Sequence, residues 1–159
     1  MDREATGQND ILLKEIMHEC ISVDPEAPAR EALQVMLEHR IPAIPVIDKE
    51  GRLEGVITDA LLLDSAVPRY LKILESFTFV SEKADQWVHY MTQAADKPVR
   101  EVMSREVSQI DLGHSEIEAA HRMVHDGVPS VVITENGKPV GVVNRLDLYG
   151  AIVGIDRES

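Results

Sequence analysis

The residues that could do chemistry are few and scattered, and the most suggestive group is Asn144-Arg145-Leu146-Asp147 in the stretch GVVNRLDLYG, residues 141–150. It follows a β-branched run and brings an amide, a guanidinium and a carboxylate together at what reads as a helix start. Asn is a strong N-cap, and an acid three residues later resembles a capping box and suits the positive end of a helix. His121 and His125 stand four apart on a helical pattern, a spacing that can share a metal, but no third ligand is in sequence reach and no metal site is expected. Their counterparts upstream are Gln34 and Glu38, ordinary solvent-facing types. The single Cys20 has no partner for a disulfide and no metal-ligand spacing. There is no nucleophile elbow, Walker loop, G-x-G-x-x-G or HExxH, and no spacing that organises Ser, His and Asp as a triad. Glu15, Glu19, Glu26 and Glu31 fit solvated faces. Nothing here points to an enzyme.

Those residues belong to a chain of 159 residues, 44% hydrophobic and 28% charged, which is long enough for one well-buried domain or two very small ones. A net charge of −12 with no Lys/Arg run argues against a surface that neutralises a phosphate backbone, so neither nucleic acid nor an anionic membrane is an expected partner. The opening MDREATGQND is polar and acidic, unlike a signal peptide, and apolar runs such as Ala60–Leu63 are too short to cross a bilayer. A cytoplasmic protein is expected.

The elements that position the chemistry occur twice. IPVIDKEGRLEGVITDALLL (44–63) matches SVVITENGKPVGVVNRLDLY (130–149), with Gly51 and Gly55 falling on Gly137 and Gly141, each a step of 86 residues. Each copy reads as a hairpin with a Gly-containing turn between β-branched runs. Upstream, EALQVMLEHRIP (31–42) parallels EAAHRMVHDGVP (118–129), and Ala32, Leu33, Met36, Leu37 and Ala119, Ala120, Met123, Val124 follow helical spacing. Further back, KEIMHECISVDP and REVMSREVSQIDL each offer a short helix, then a strand, then Asp24 or Asp111 before the helix. Each half therefore predicts helix, strand, helix, strand, strand, helix. A unit this small exposes a sheet face, and two copies packed sheet to sheet would bury it and leave clefts between them.

In this order, and twice, these patterns resemble tandem CBS domains, a Bateman module. The likeness rests on Ile16-Met17 and Val102-Met103 before the first strand, IPVID-x-x-G-x-x-x-G-V-I-T, and G-V-V-N-x-x-D, and covers nearly the whole chain outside about 64–97. It implies an α+β fold of two pseudo-two-fold related β-α-β-β-α repeats: a tail at 1–9, a first repeat at 10–63, a helical insertion at 64–97, a second repeat at 98–154 and a tail at 155–159. It implies further that Asp147 holds a ribose diol, because a carboxylate accepts hydrogen bonds from two adjacent hydroxyls. Asn144 replaces the family's hydroxyl residue, and Arg145 could reach a phosphate. The loop Val128, Pro129, Ser130 and the strand Cys20, Ile21, Ser22, Val23 would complete that cleft. Ordinary core strand is the competing reading of Ile21 and Val23. The second cleft, around Thr58, Asp59, Pro42 and Ala43, carries Leu61 where the acid should be and is expected to be weak. Pro42 and Pro129 stand where some relatives place Arg or His, which argues against tight polyphosphate binding.

The resemblance implies a non-catalytic, free-standing sensor for AMP, ADP, ATP or S-adenosylmethionine, with no cofactor required, Mg²⁺ left open, a homodimer, and an effector protein that the sequence does not identify. The competing class is a scaffold with vestigial clefts that docks through the insertion. Residues 64–97 gather Tyr70, Phe77, Phe79, Trp87 and Tyr90, with helix starts expected at Pro68 and Ser81-Glu82. A helical hairpin packed on the module's own surface, a partner interface and a lid over one cleft are all readings of that segment.

Overall fold

The computed structural model describes residues 12–67 and 84–155. In chain order the elements are α1 (Leu13–Ile16), β1 (His18–Glu19), α2 (Ala29–His39), β2 (Ala43–Ile47), β3 (Leu53–Thr58), α3 (Asp59–Ala66), α4 (Ala84–Ala94), α5 (Val99–Val102), β4 (Gln109–Asp111), α6 (Glu116–Asp126), β5 (Ser130–Glu135), β6 (Lys138–Asn144) and α7 (Arg145–Val153). The mixed α+β content and the doubled helix-hairpin-helix order agree with the sequence reading. No helix among the described residues is long and apolar enough to cross a membrane.

Two compact units result, and neither is a contiguous sequence repeat. One joins the chain up to Ile21 to the chain from Val107 onward, and the other is Ser22–Glu106. The short opening helix of each repeat therefore packs with the hairpin of the other copy. Leu13 of α1, only 1% exposed, shares a core with Ile110, Met123, Ile133, Val143 and Leu148. Val99 and Val102 of α5 share theirs with Val23, Met36, Ile44, Val46 and Ile57.

In the unit that contains the C-terminal hairpin, four strands run in the order β1-β6-β5-β4. Asn136 and Gly137, at φ 52° and 77°, make the two-residue turn between β5 and β6, the positive-φ pair whose twist suits a tight hairpin. β4 lies parallel to β5, with α6 as the crossover between them. Ser115 and Glu118 close a reciprocal capping box at the start of α6, and Gly127 ends it in the left-handed conformation. β1 pairs with β6, His18 opposite Val142 and Glu19 opposite Gly141. A side chain at 141 would meet the Met17 sulfur at 2.7 Å and the His18 carbonyl at 2.8 Å, so glycine is what lets β1 close on the sheet.

In the Ser22–Glu106 unit, β2 and β3 form a two-stranded hairpin, flanked by single bridges from Val23 to Val46 and from Ser104 to Val56. Gly55 repeats the close approach of Gly141, here against Met103 and the Ser104 carbonyl. The strand expected over Cys20–Val23 is reduced to the bridge at Val23, while the actual pairing falls earlier, at His18–Glu19. The reason is positional, since the chain passes from one unit to the other between Ile21 and Ser22 and so cannot continue a single ladder. Of the insertion, α4 packs on α3 of its own unit, with Trp87 buried and Tyr90 45% exposed. The readings placed on Pro68, Tyr70, Phe77, Phe79 and Ser81-Glu82 lie outside the described residues, as does the expected tail at 1–9.

Candidate functional site

The residues singled out from sequence at the end of β6 do converge. Val142 and Val143 are buried in the sheet, and the backbone leaves it at Asn144 in an extended conformation before α7 begins. The Arg145 amide donates to the Pro129 carbonyl at 3.0 Å, which ties the start of α7 to the loop before β5. Ser130 lies opposite Asn144 across the β5–β6 pair, and Val128 packs against the core with its amide on the Met123 carbonyl.

Asn144 stands at the N-cap position but its side chain caps nothing, which corrects the capping-box expectation. Its Nδ2 donates to Asp147 Oδ2 at 3.3 Å, while its Oδ1 is buried without a hydrogen-bond partner. A carboxylate is a stronger acceptor than anything the amide would gain by turning its oxygen to the helix amides, so the amide donates instead of capping. Thr58, at the equivalent place, caps in the ordinary way: its Oγ1 accepts from the Leu61 amide at 3.1 Å.

The same Asp147 oxygen receives His18 Nε2 at 2.5 Å. The two side chains are 34% and 16% exposed, so the pair sits at a rim. Beside it is a hollow of about 490 Å³, walled by Glu15, Ile16, Met17 and His18 from α1 and β1, by Leu146, Asp147, Gly150 and Ala151 from α7, and by Ile155. The wall has a largely apolar floor with one imidazole-carboxylate pair and the exposed Glu15, and the described residues that form it carry no hydroxyl or thiol. Chemically it offers a strong acceptor for hydroxyl donors and an imidazole for an anion.

Among the residues predicted for this cleft, Asp147 lines the hollow; Asn144, Arg145, Val128, Pro129 and Ser130 are gathered around the start of α7 without lining it. Cys20 and Ile21 belong to the same unit: Ile21 donates to the Glu19 carbonyl, and burial pushes the Cys20 thiol above its usual range. Ser22 and Val23 belong to the other unit, where Val23 is core and Ser22 is exposed. His18, Met17, Ile16 and Glu15 escaped sequence reasoning. The glycine at 141 signals a close backbone neighbour, and the structure shows that neighbour to be the Met17-His18 segment.

The first-copy site is built differently. Asp59 Oδ1 accepts from the Ala60 amide at 2.7 Å, the Asp59 amide donates to the Pro42 carbonyl, and Ala43 is buried opposite Thr58. Leu61 packs against the core. The step of 86 residues carries His18 onto Ser104 and Asp147 onto Leu61, so neither half of the ion pair is repeated. His121 and His125 stack with ring centroids 6.1 Å apart, and among the described residues no three His, Cys, Asp or Glu side chains are grouped to hold a metal.

Comparison with known proteins gives the frame for these observations. The sequence matches the CBS domain family over residues 13–67 and again over 99–154. An uncharacterized protein of Methanocaldococcus jannaschii is 25% identical over 154 residues, 90% of this chain and 92% of its own. The CBS domain of a CBS-domain-containing membrane protein from Sphaerobacter thermophilus superposes with a TM-score of 0.66 at 24% identity, covering 87% of this chain and 85% of that one. CBSX2, solved in complex with AMP, gives a TM-score of 0.65 at 19% identity over 90% of this chain and 96% of its own. With both copies matched and the fold shared, this chain belongs to the CBS domain family, in tandem.

Proposed function

We propose that the unit carrying Asp147 binds an adenosine-containing ligand in the hollow between α1-β1 and α7, and that the protein is a regulatory, non-catalytic sensor. The observation that carries this reading is the Asp147 carboxylate on the wall of a hollow of about 490 Å³, a size ordinary for small-molecule sites. A ribose diol would donate to that carboxylate, the apolar wall from Ile16, Met17 and Leu146 would take the base, and Arg145, exposed at the first position of α7, would meet a phosphate. The AMP held by CBSX2 supports the choice of ligand class. Occupancy would then favour whichever packing of the module contacts the ligand better. A homodimer is part of this reading, motivated by the exposed Leu33, Leu37 and Leu63 in one unit and Ile117, Val124 and Tyr149 in the other; sedimentation equilibrium that finds only monomer removes it.

The test is thermal melting against AMP, ADP, ATP and S-adenosylmethionine, with and without Mg²⁺. A ligand present at about 100 times its dissociation constant adds about 2.7 kcal/mol to the native state. Asp147→Ala should abolish the gain relative to its own ligand-free melt. Should none of the four ligands shift the wild-type melt, the sensor reading fails, and the scaffold reading, favoured by the apolar Leu61 in the first copy, takes its place.

A further inference from the structure

We infer that His121 and His125, exposed on α6, form an open two-imidazole site for a divalent transition metal of the Ni²⁺, Cu²⁺ and Zn²⁺ group. Neither residue lines the hollow beside Asp147, and the inference does not depend on the adenosine reading. It starts from two exposed rings about one helical turn apart, their centroids separated by 6.1 Å and their planes inclined by only 14°. Among the described residues neither ring has a hydrogen bond or an ion pair, so each neutral imidazole keeps a nitrogen lone pair to give. A metal bound at about 2.0–2.1 Å from each nitrogen needs the two nitrogens within about 4 Å of one another, and exposed side chains at i and i+4 reach that by turning about their own bonds.

The first copy shows what an ordinary pair does at this place. Gln34 and Glu38 hold the matching positions on α2, and Gln34 Nε2 donates to Glu38 Oε1 at 3.1 Å, so that pair satisfies itself. Two stacked imidazoles cannot, because their donors and acceptors lie in the ring planes and facing rings offer each other none. Protonated together they become like charges at i and i+4, which destabilises a helix. A cation that accepts a lone pair from each ring removes both disadvantages.

The surroundings favour such a cation. His125 stands in the last turn of α6, where the negative end of the helix dipole attracts positive charge, and the chain's net charge of −12 adds to that attraction. The donor atoms set the class of metal: imidazole nitrogen suits Cu²⁺, Ni²⁺ and Zn²⁺, whereas Mg²⁺ and Ca²⁺ take oxygen ligands. A closed site would need the third ligand that the sequence does not supply; an open one, with water in the remaining positions, does not. Binding is therefore weak and exchangeable, with Cu²⁺ held more tightly than Ni²⁺ or Zn²⁺.

The test is calorimetric titration of the full chain, first stripped with a chelator, with Ni²⁺, Zn²⁺ and Mg²⁺ in a buffer that does not bind metal. Wild type, His121→Ala, His125→Ala and His39→Ala are compared. Wild type should bind Ni²⁺ and Zn²⁺ and give no heat with Mg²⁺. Each of the two α6 variants should lose at least about tenfold in Ni²⁺ affinity, while His39→Ala, which removes a lone exposed histidine at the end of α2, should match wild type. The Cu²⁺ complex of wild type should show two imidazole nitrogens in its electron paramagnetic resonance spectrum, and that of either α6 variant should not. Absence of Ni²⁺ binding in wild type, unchanged affinity in both α6 variants, or an equal loss in His39→Ala would refute the site.

Discussion

Replacing Gly141 by alanine tests the placement of the site through a single methyl group. The added Cβ would lie 2.7 Å from Met17 Sδ, 3.1 Å from Met17 Cγ and 2.8 Å from the His18 carbonyl oxygen. The methionine end can swing away at little cost because it is flexible. The carbonyl cannot, because it belongs to the β1 backbone paired with β6, and β1 itself must withdraw. Overpacking of this kind costs about 1–3 kcal/mol, against which loss of glycine's conformational freedom in the unfolded chain returns about 0.5–1 kcal/mol. The net expectation is a loss of about 1–2 kcal/mol, or a fall in Tm of roughly 2–8 °C for a chain of this size. Gly55→Ala meets the Ser104 carbonyl at 2.5 Å and Met103 at 2.8 Å, and should cost at least as much. Urea denaturation gives both numbers. The ligand arm is more telling: withdrawal of β1 carries Met17 and His18 out of the wall, so Gly141→Ala should lose most of any melting shift produced by AMP, while Gly55→Ala, in the other unit, should keep it. A Gly141→Ala protein as stable as wild type within about 0.3 kcal/mol, with its response to AMP intact, would refute the idea that this glycine docks the His18 strand.

Two further outcomes follow from particular residues. Arg40 ends α2 in the left-handed conformation, φ 53°, where the equivalent position after α6 is Gly127 at φ 65°; Arg40→Gly should therefore stabilise the protein by about 0.5–1 kcal/mol in urea unfolding, and a loss would mean that the arginine side chain contributes more than its backbone costs. Asp48 has its pKa lowered from 3.8 to about 2, first by the Arg52 backbone N–H and then by the hydrogen bond and charge of the Arg52 side chain. Because the folded value lies below the unfolded one, the stabilisation is fully present above about 3.8 and disappears as pH falls toward about 2. Urea midpoints measured from pH 4.5 downward should fall less steeply in Asp48→Asn than in wild type, and parallel curves would rule out this aspartate as a source of the acid sensitivity.

What the sequence discloses, and what it withholds, divides along the range of the interactions. The hairpins were readable because Gly51 and Gly137 announce positive-φ turns between β-branched runs, and both glycines have φ near 80°. The amphipathic helices α2 and α6 were readable from their apolar spacing, but only part of each stripe is core: Ala32, Met36, Ala119 and Met123 are buried, whereas Leu33, Leu37 and Val124 are exposed. The partner of each opening helix was not, since four residues such as Leu13–Ile16 carry no information about which of two similarly patterned hairpins they will meet. Asn144 misled for a related reason: as an N-cap it is indistinguishable in sequence from Thr58, and only the carboxylate three residues on, where the first copy has Leu61, turns its amide away from the helix.

His18 and Asp147 are 129 residues apart, and His18 taken alone is an unremarked polar residue on a two-residue strand. Yet the pair was recoverable from the repeat by a different question. Matching the copies finds what both need in order to fold: the glycines, the buried methionines and the hairpin runs. Positions that depart together, His18 against Ser104 and Asp147 against Leu61, find what only one copy carries, here a hydrogen bond between an imidazole and a carboxylate. Folding explains the residues the two halves share; it does not explain the hydrogen bond between His18 and Asp147, for which the repeat has no counterpart.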